Sequence, residues 1–440
     1  MQRLLRPFTK IVGPAAVMAA GTMGAGATSS LILAGAWFRY DLIWVAVLVL
    51  PLFVIAVDSA SRIGLVNRER GMFSLIREKV HPGVAWLILA INIPLHLFIA
   101  MGQMSVMTAA FLSMFGLSPP GSSIGSIDGD SYRVAETILS LMIAGMIVWM
   151  LTSEGYQRMQ KIMTGFMVLM FVCFFIVAVR GFQEIGAIVS GFAPSIPPDL
   201  PVPGRDAVRS TGISIIAIIG SVLAPAALLG IPYMSSDNAR GSVDFRMEFK
   251  RSLINLGFIY GGYSLLVIIA GGFALYPLIN HAEIETIYEA GNILVRAFPE
   301  GLSFLGPLIF SIGIFFAALT TFIVVVEVIS YFCLDMFRYP WHHAKENKKF
   351  KKLIIVSVVL PAVLAPFWTF PALLKIVLLM GVNTIVIPLV FAALIILVNK
   401  KDVMGVHTAG PARNSVLLIG FLLSATLSVV KLPDFIRMLL

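Results

Sequence analysis

The sequence has little charge and almost no cysteine. Only 12% of its 440 residues are charged, whereas a soluble domain carries roughly 25%, so an ordinary water-soluble globule is excluded. The two cysteines, Cys173 and Cys333, lie in apolar runs, and we expect them to be core residues. We recognise no phosphate-binding loop, catalytic nucleophile or metal-ligand cluster, so we expect neither an enzyme nor a bound cofactor.

Long apolar runs make up most of the chain, which is 58% hydrophobic with a mean hydropathy of +0.93. Runs of about 18 or more apolar residues predict helices that cross a lipid bilayer. We therefore expect one transmembrane domain over residues 1–440, without an extended soluble domain. The predicted spans, numbered 1 to 11, are 11–36, 42–64, 84–116, 134–152, 158–180, 209–234, 250–276, 300–334, 352–369, 372–398 and 413–430.

Basic residues are concentrated in the N-terminal segment and in the even-numbered loops between spans. Cytoplasmic loops carry an excess of Lys and Arg, so this bias predicts a cytoplasmic N-terminus and an extracytoplasmic C-terminus. The net charge of +9 then reflects membrane topology, and we do not expect nucleic-acid binding. Compact loops and the lack of a targeting segment suggest a bacterial inner membrane.

Two spans contain helix-breaking residues at corresponding places. Span 1 contains the run 24–27, Gly-Ala-Gly-Ala, and span 6 contains Gly220 and Pro225. Because spans 1 and 6 would each open a set of five helices, we predict two inverted repeats at about 11–180 and 209–398, followed by an extra helix at about 413–430. Paired breaks of this kind mark the substrate site of many transporters. The alternative is that these residues only allow a kink or close packing.

Several stretches resemble one known family, and they extend over most of the chain. They are GPAAVMAAG, AGAWFRYDLIWV, SRIGLVNRERGMFSLIRE, EGYQRMQKIM, EIGAIVSGFAPSIP and LIFSIGIFFAALTTFIVVVEVISYF. The sequence resembles the NRAMP (natural resistance-associated macrophage protein) family of divalent metal transporters. The resemblance implies an all-α integral membrane protein of about 11 helices, with a LeuT-type 5+5 inverted repeat and broken helices 1 and 6. It also implies proton-linked transport of metal ions.

The family's metal-binding motifs are altered in this sequence. Its D-P-G-N motif aligns with residues 24–27, and its M-P-H motif aligns with residues 224–226, so only Gly26 and Pro225 match. Span 3, acidic in the family, has no Asp or Glu between residues 84 and 115, and the family's glutamine in span 10 falls on Gly381. Without carboxylate or thioether ligands at these positions we expect no metal site of the usual kind and an altered substrate.

Candidate site residues follow from the two breaks and from polar residues inside the spans. For substrate binding they are Met23, Gly24, Ala25, Gly26, Ala27, Thr28, Ser221, Ala224, Pro225, Ala226 and Ala227. For a coupling ion or proton path they are Glu327, Gln103, His96 and Asn383. Glu327 lies deep in an apolar run, where carboxylates are costly and often functional. A structural carboxylate and a core histidine are the alternatives for Glu327 and His96.

Two other polar features have less specific interpretations. We expect Asp58 and Arg62, one helical turn apart, to form a surface ion pair. We expect His342 to lie in a solvated basic loop.

The sequence favours a secondary transporter that works by alternating access, with a cation as its substrate and a proton or another ion as its coupling partner. Transport of a small organic solute, such as an amino acid or a carboxylate, is the first alternative. A receptor-like protein that does not transport is the second. The oligomeric state is not indicated.

Overall fold

The computed structural model describes residues 14–118, 128–153, 156–202, 208–238, 244–276, 291, 298–342, 347–368 and 372–439. Regular structure in these ranges is helical, apart from two antiparallel two-residue strands, β1 (Leu200–Pro201) and β2 (Val208–Arg209). Ten described helices are long and apolar enough to cross a membrane, and a bent helix pair at the N-terminal end makes eleven. The predicted number of spans is confirmed.

The unbroken spans follow the predicted bounds within about five residues, except that the helix of span 11 continues nine residues beyond its predicted end at residue 430. They are span 2 (Ile43–Val66), span 3 (Pro82–Met114), span 4 (Gly129–Ser153), span 5 (Tyr156–Gly181), span 8 (Leu305–Met336), span 9 (Lys348–Leu364), span 10 (Ala372–Asn399) and span 11 (Pro411–Leu439). Span 7 is continuous but changes its winding, with α-helix at Phe245–Ser252, π-helix at Leu253–Tyr260 and α-helix at Gly261–Ala274. Short helices connect the spans at Met72–Lys79, Ile185–Ser190 and Lys401–Met404, with 3₁₀ turns at Phe182–Glu184, Glu300–Leu302, Ala365–Phe367 and Gly405–His407.

Spans 1 and 6 are both broken where the sequence predicts. Span 1 consists of half-helices 1a (Pro14–Thr22) and 1b (Ala25–Phe38), bent by 48°, with Gly24 in an extended conformation between them. Span 6 consists of half-helices 6a (Thr211–Val222) and 6b (Pro225–Asn238). Proline suits the first turn of a helix because the N–H that it lacks has no partner there. Pro225 therefore starts half-helix 6b.

The packing of the spans repeats with an offset of five. Span 3 packs along span 8, its counterpart in the second set of helices. Half-helix 1b packs on span 7, just as 6b packs on span 2, and 1a packs on span 5, just as 6a packs on span 10. This pairing is the LeuT-type arrangement that the resemblance implies.

Glycines allow these helix pairs to approach closely. A Cβ atom at Gly35 in half-helix 1b would overlap the backbone of span 7, and one at Gly271 in span 7 would overlap the backbone of Ile32. On the related side, a Cβ at Gly64 in span 2 would overlap the backbone of Pro232 in half-helix 6b. Small residues commonly mediate close helix contacts in membranes, so the two half-helices are tightly apposed to their partners.

Two polar residues differ from their predicted surroundings. Asp58 is fully buried, and its Oδ2 lies 2.9 Å from Arg62 Nε and 2.6 Å from Arg413 Nη2. The expected ion pair between Asp58 and Arg62 forms, but its expected surface location is wrong, because Arg413 of span 11 packs against this part of span 2. The expectation of a solvated loop is also wrong for His342, which is half-buried with its Nδ1 2.7 Å from Asp237 Oδ1.

Candidate functional site

A small cavity lies where the two helix breaks face each other. Its volume is about 40 Å³. A cavity needs roughly 10–15 Å³ for each water, so this one has room for about three water-sized groups. Residues from five spans line it: Met18, Gly21, Thr22, Gly26 and Ala27 from span 1, His96, Ile99 and Gln103 from span 3, Ser221, Ala224, Ala226 and Ala227 from span 6, Thr321, Val324 and Val325 from span 8, and Met380 and Asn383 from span 10.

The structure brings some of the predicted substrate-binding residues together and separates others from the cavity. Those that line it are Gly26, Ala27, Ser221, Ala224, Ala226 and Ala227. Those outside the lining are Met23, Gly24, Ala25, Thr28 and Pro225. At the breaks, the wall therefore includes residues of the first turns of half-helices 1b and 6b together with the unwound residue Ala224, while the unwound residues Met23 and Gly24 of span 1 lie outside it.

Two hydroxyl side chains stabilise the break in span 1: Thr28, which lies outside the lining, and Thr321, which belongs to it. The Thr28 hydroxyl donates to the carbonyl oxygen of Met23 at 3.0 Å and lies 2.6 Å from the hydroxyl of Tyr263. The Thr321 hydroxyl donates to the carbonyl oxygen of Gly21 at 2.5 Å. Hydroxyl groups often satisfy backbone groups freed at breaks in membrane helices, so these two side chains compensate for the interrupted hydrogen bonding.

Three of the four predicted coupling residues line the cavity. Gln103, His96 and Asn383 lie in its wall and have at most 1% of their surface exposed. Glu327 is fully buried in span 8, about one turn after Val324, and does not belong to the lining. The four residues predicted for a coupling-ion or proton path therefore fall into two groups. Three lie in the cavity wall, and the fourth, Glu327, is a buried carboxylate outside it.

The polar atoms of the cavity wall have unused hydrogen-bonding capacity. Both amide atoms of Gln103, His96 Nε2 and Asn383 Oδ1 are buried and have no hydrogen-bond partner among the described residues. Buried polar groups in proteins are nearly always hydrogen-bonded. These atoms are therefore placed to bind a ligand or water inside the cavity.

The hydrogen bond made by His96 determines which of its ring nitrogens carries the proton and which one has a lone pair available. His96 Nδ1 lies 2.6 Å from the carbonyl oxygen of Asn92. A carbonyl oxygen can only accept, so Nδ1 carries the proton of the neutral ring. Nε2 then presents a lone pair, which is the arrangement of a metal-binding histidine whose other nitrogen donates to the backbone.

Sequence reasoning missed several residues of the cavity wall, including Met18, Ile99 and Met380. Each lies three or four residues before a polar lining residue: Met18 before Thr22, Ile99 before Gln103 and Met380 before Asn383. Helical spacing was therefore an available signal for them. The lining residues of span 8, Thr321, Val324 and Val325, had no comparable signal, because their position depends on how span 8 packs against span 1.

The described part of the cavity wall carries no acidic residue, lysine or arginine. Within the same described ranges, no group of three or more His, Cys, Asp or Glu side chains could hold a metal ion. Any ligand here would therefore be bound by neutral groups: two amides, an imidazole, hydroxyls, thioethers and backbone.

The eleven spans, the two broken helices and the five-helix offset of their packing define a polytopic membrane protein with the LeuT-type transporter fold. The family model described as natural resistance-associated macrophage protein-like matches residues 15–433, and the chain belongs to this family.

Among curated proteins, the chain is similar to the divalent metal cation transporter MntH 1 of Pseudomonas aeruginosa, with 26% identity over 196 residues. That match covers 43% of this chain and 40% of the relative, so it spans well under half the length of the relative.

Solved structures agree with the fold. The manganese transporter of Eremococcus coleocola, in complex with an aromatic bis-isothiourea compound, matches with a TM-score of 0.69 and 16% identity, over 97% of this chain and 86% of the other. Mhp1, a nucleobase-cation-symport-1 family transporter in a closed conformation with bromovinylhydantoin bound, matches with a TM-score of 0.54 and 12% identity, over 97% of this chain and 93% of the other.

Proposed function

We propose that this chain is a secondary transporter that moves a metal cation across the membrane by alternating access through the central cavity. The proposal is carried by the buried cavity between the two helix breaks, where Gln103, His96 and Asn383 present polar atoms without partners among the described residues. Membership of the family supports it, as do relatives named for the transport of divalent metal cations and of manganese.

The binding chemistry would differ from the family's usual site. Gly24 and Ala27 stand where the family has a carboxylate and an amide, while Ala224 and Ala226 stand where it has a thioether and an imidazole. Hard cations such as Mg²⁺ and Ca²⁺ are bound mainly through carboxylate oxygens. A neutral cavity therefore suits them poorly, and we propose that the substrate has changed within the family.

We also propose that Glu327 supplies proton coupling. Its carboxyl group is fully buried on span 8, close along the helix to the lining residues Val324 and Val325. Carboxylates inside membrane spans commonly belong to proton relays. Movement of a proton at Glu327 could then bias span 8, which forms one wall of the cavity.

The topology that accompanies this function also remains a proposal. We place the protein in a bacterial inner membrane, with a cytoplasmic N-terminus and an extracytoplasmic C-terminus, because the even-numbered loops are rich in Lys and Arg. We place the two repeats at about 11–180 and 209–398, with the helix at about 413–430 outside them. The packing offset of five supports this division.

The transport proposal is tested by measuring solute uptake with an open cavity and with a cavity blocked by a large side chain. The full-length protein is reconstituted in liposomes containing a pH-sensitive dye, and uptake of Mn²⁺, Mg²⁺, monovalent Ag⁺ and a panel of amino acids is measured. Ala226→Phe places a ring in the cavity and should reduce cation uptake at least tenfold. Ala90→Phe, on an exposed face of span 3, is the matched control and should leave uptake unchanged.

The assay also separates the alternatives. Uptake of amino acids without any cation would favour a transporter of organic solutes, a candidate suggested by amides that both donate and accept hydrogen bonds. The small volume of the cavity argues against that candidate. Wild-type protein that carries no solute would contradict transport and favour a receptor-like protein.

A further inference from the structure

The lining of the central cavity combines a histidine and a methionine. His96 lies two turns before Gln103 in span 3, and Met18 lies one turn before Thr22 in half-helix 1a. Both residues line a cavity of only about 40 Å³, so a single small ion inside it would be close to both.

Both side chains are shielded from water, and the His96 ring is also held in a defined orientation. Each is 1% exposed. The hydrogen bond from His96 Nδ1 to the Asn92 carbonyl fixes the ring and leaves the Nε2 lone pair without a partner in the described structure. The ring of Phe332 packs edge-on against His96 with a centroid distance of 6.1 Å. The lone pair thus lies in an apolar surround that would strengthen its contact with a cation.

The lack of charged residues in the described cavity wall limits which cation the cavity can hold. Desolvation of an ion becomes more costly with the square of its charge, and buried ions need compensation from their surroundings. The described cavity wall offers no carboxylate, so it compensates a single positive charge better than a double one. Thioether sulfur is a ligand that selects Cu(I), and imidazole also suits copper.

We infer that His96 and Met18 bind a soft monovalent cation in this cavity, with Cu(I) as the ion whose charge and ligand preferences both fit. This inference rests on the proposed transport of a metal cation and specifies its class. Met380, whose sulfur lies 3.7 Å from Asn383 Nδ2, places a second thioether in the same cavity wall.

Silver ion provides a probe with the same charge and ligand preference and without redox chemistry. Ag⁺ binding to the full-length purified protein is measured by calorimetry for the wild type, His96→Leu and Met18→Leu. We expect affinity to fall at least tenfold in His96→Leu and several-fold in Met18→Leu, a substitution that nearly conserves volume. Matched controls are His81→Asn, which retains a helix-capping side chain, and Met142→Leu on an exposed face. Both should bind as the wild type does.

X-ray absorption of the protein loaded with Cu(I) under ascorbate gives a second readout. One nitrogen and at least one sulfur ligand are expected, and the nitrogen contribution should disappear in His96→Gln.

Equal Ag⁺ affinity in the wild type and the His96 variants, or coordination by sulfur alone, would overturn the inference. Mn²⁺ uptake without Ag⁺ binding would overturn it and leave the proposed function standing. Ag⁺ binding that depends on His96, without uptake of any ion, would support the site and contradict transport.

Discussion

At the scale of single residues, the described wall of the central cavity is uncharged and mostly apolar, with a few buried polar atoms. Gly24 packs against Thr321 and lies outside the cavity lining, while Ala27, Ala224 and Ala226 belong to the lining but carry only methyl side chains. The polar atoms of the wall that have no hydrogen-bond partner among the described residues come instead from spans 3 and 10, which the helix breaks do not identify. A search restricted to the aligned motif positions would therefore overlook the polar residues that we propose as ligand-binding groups.

The buried carboxylate of Glu327 yields a test of coupling. Glu327→Gln retains the size and polarity of the side chain but cannot carry a negative charge, so we expect cation-driven proton movement to fall at least tenfold. The liposome assay with an internal pH dye measures it. Glu300→Gln alters an exposed carboxylate and should have no effect. Unchanged proton movement in Glu327→Gln, with normal thermal stability, would exclude this role.

The buried ion cluster around Asp58 yields a test of stability. Arg413→Gln removes the cation that lies 2.6 Å from the fully buried carboxylate of Asp58. Breaking a buried ion pair costs about 3–5 kcal/mol, and we expect about 3 kcal/mol because Arg62 remains. Thermal unfolding in detergent measures the loss. Arg133→Gln, at an exposed position in span 4, should melt like the wild type, and an equally stable Arg413→Gln would disprove the role of the cluster.

At the scale of helices, glycines fix how closely the walls of the cavity approach each other. A Cβ at Gly220 in half-helix 6a would overlap the carbonyl oxygen of Met380 in span 10, a backbone atom that cannot rotate away. We expect Gly220→Ala to lower the free energy of unfolding by about 1–3 kcal/mol and to reduce cation uptake.

Gly145 in span 4 provides the control for that substitution. A Cβ there meets nothing within 4 Å, and replacing glycine by alanine in a helix interior stabilises it by roughly 0.5–1 kcal/mol. Gly145→Ala should therefore melt at or above the wild-type temperature with unchanged uptake. Identical melting temperatures and uptake for Gly220→Ala and the wild type would contradict the close contact.

The helices were more predictable from the sequence than the site. Apolar runs gave the spans, and Gly24 and Pro225 gave the breaks, because these signals are local. Asp58 and His342 were misjudged because their partners, Arg413 and Asp237, lie far away in the sequence and only tertiary packing brings them close. The same limit explains why Val324 of span 8 was not expected in the cavity wall.

At the scale of the whole molecule, the end of half-helix 6b is held by a cluster that should respond to pH. His342 follows span 8, with its Nδ1 2.7 Å from Asp237 Oδ1 and its Nε2 3.8 Å from Glu69 Oε2. Tyr331 also donates to Asp237, at 3.1 Å, and Trp341 stacks on the imidazole. The hydrogen bond to Asp237 raises the pKa of His342 above its usual 6.5, with a smaller contribution from the charge of Glu69.

A raised pKa in the folded state fixes the sign of the pH effect. The contribution of His342 to stability is complete below the unfolded pKa of 6.5 and is lost as pH rises through the higher folded value. The melting temperature should therefore fall over this range in the wild type and fall less in His342→Gln. His407→Gln, at an exposed position, should keep the wild-type profile. Parallel profiles for His342→Gln and the wild type would contradict this assignment.

The glycine contacts between half-helices and their partners have a mechanical consequence. Because Gly64 lies against the backbone of Pro232, and Gly35 and Gly271 lie against the backbone of the helix opposite them, no side chain separates the two backbones at these contact points. Each pair should therefore move as one rigid body. The hinge is at residues 23–24 for half-helix 1b with span 7, and at residues 223–224 for half-helix 6b with span 2. A tilt of span 2 would then displace half-helix 6b and, with it, the residues of half-helix 6b that line the cavity.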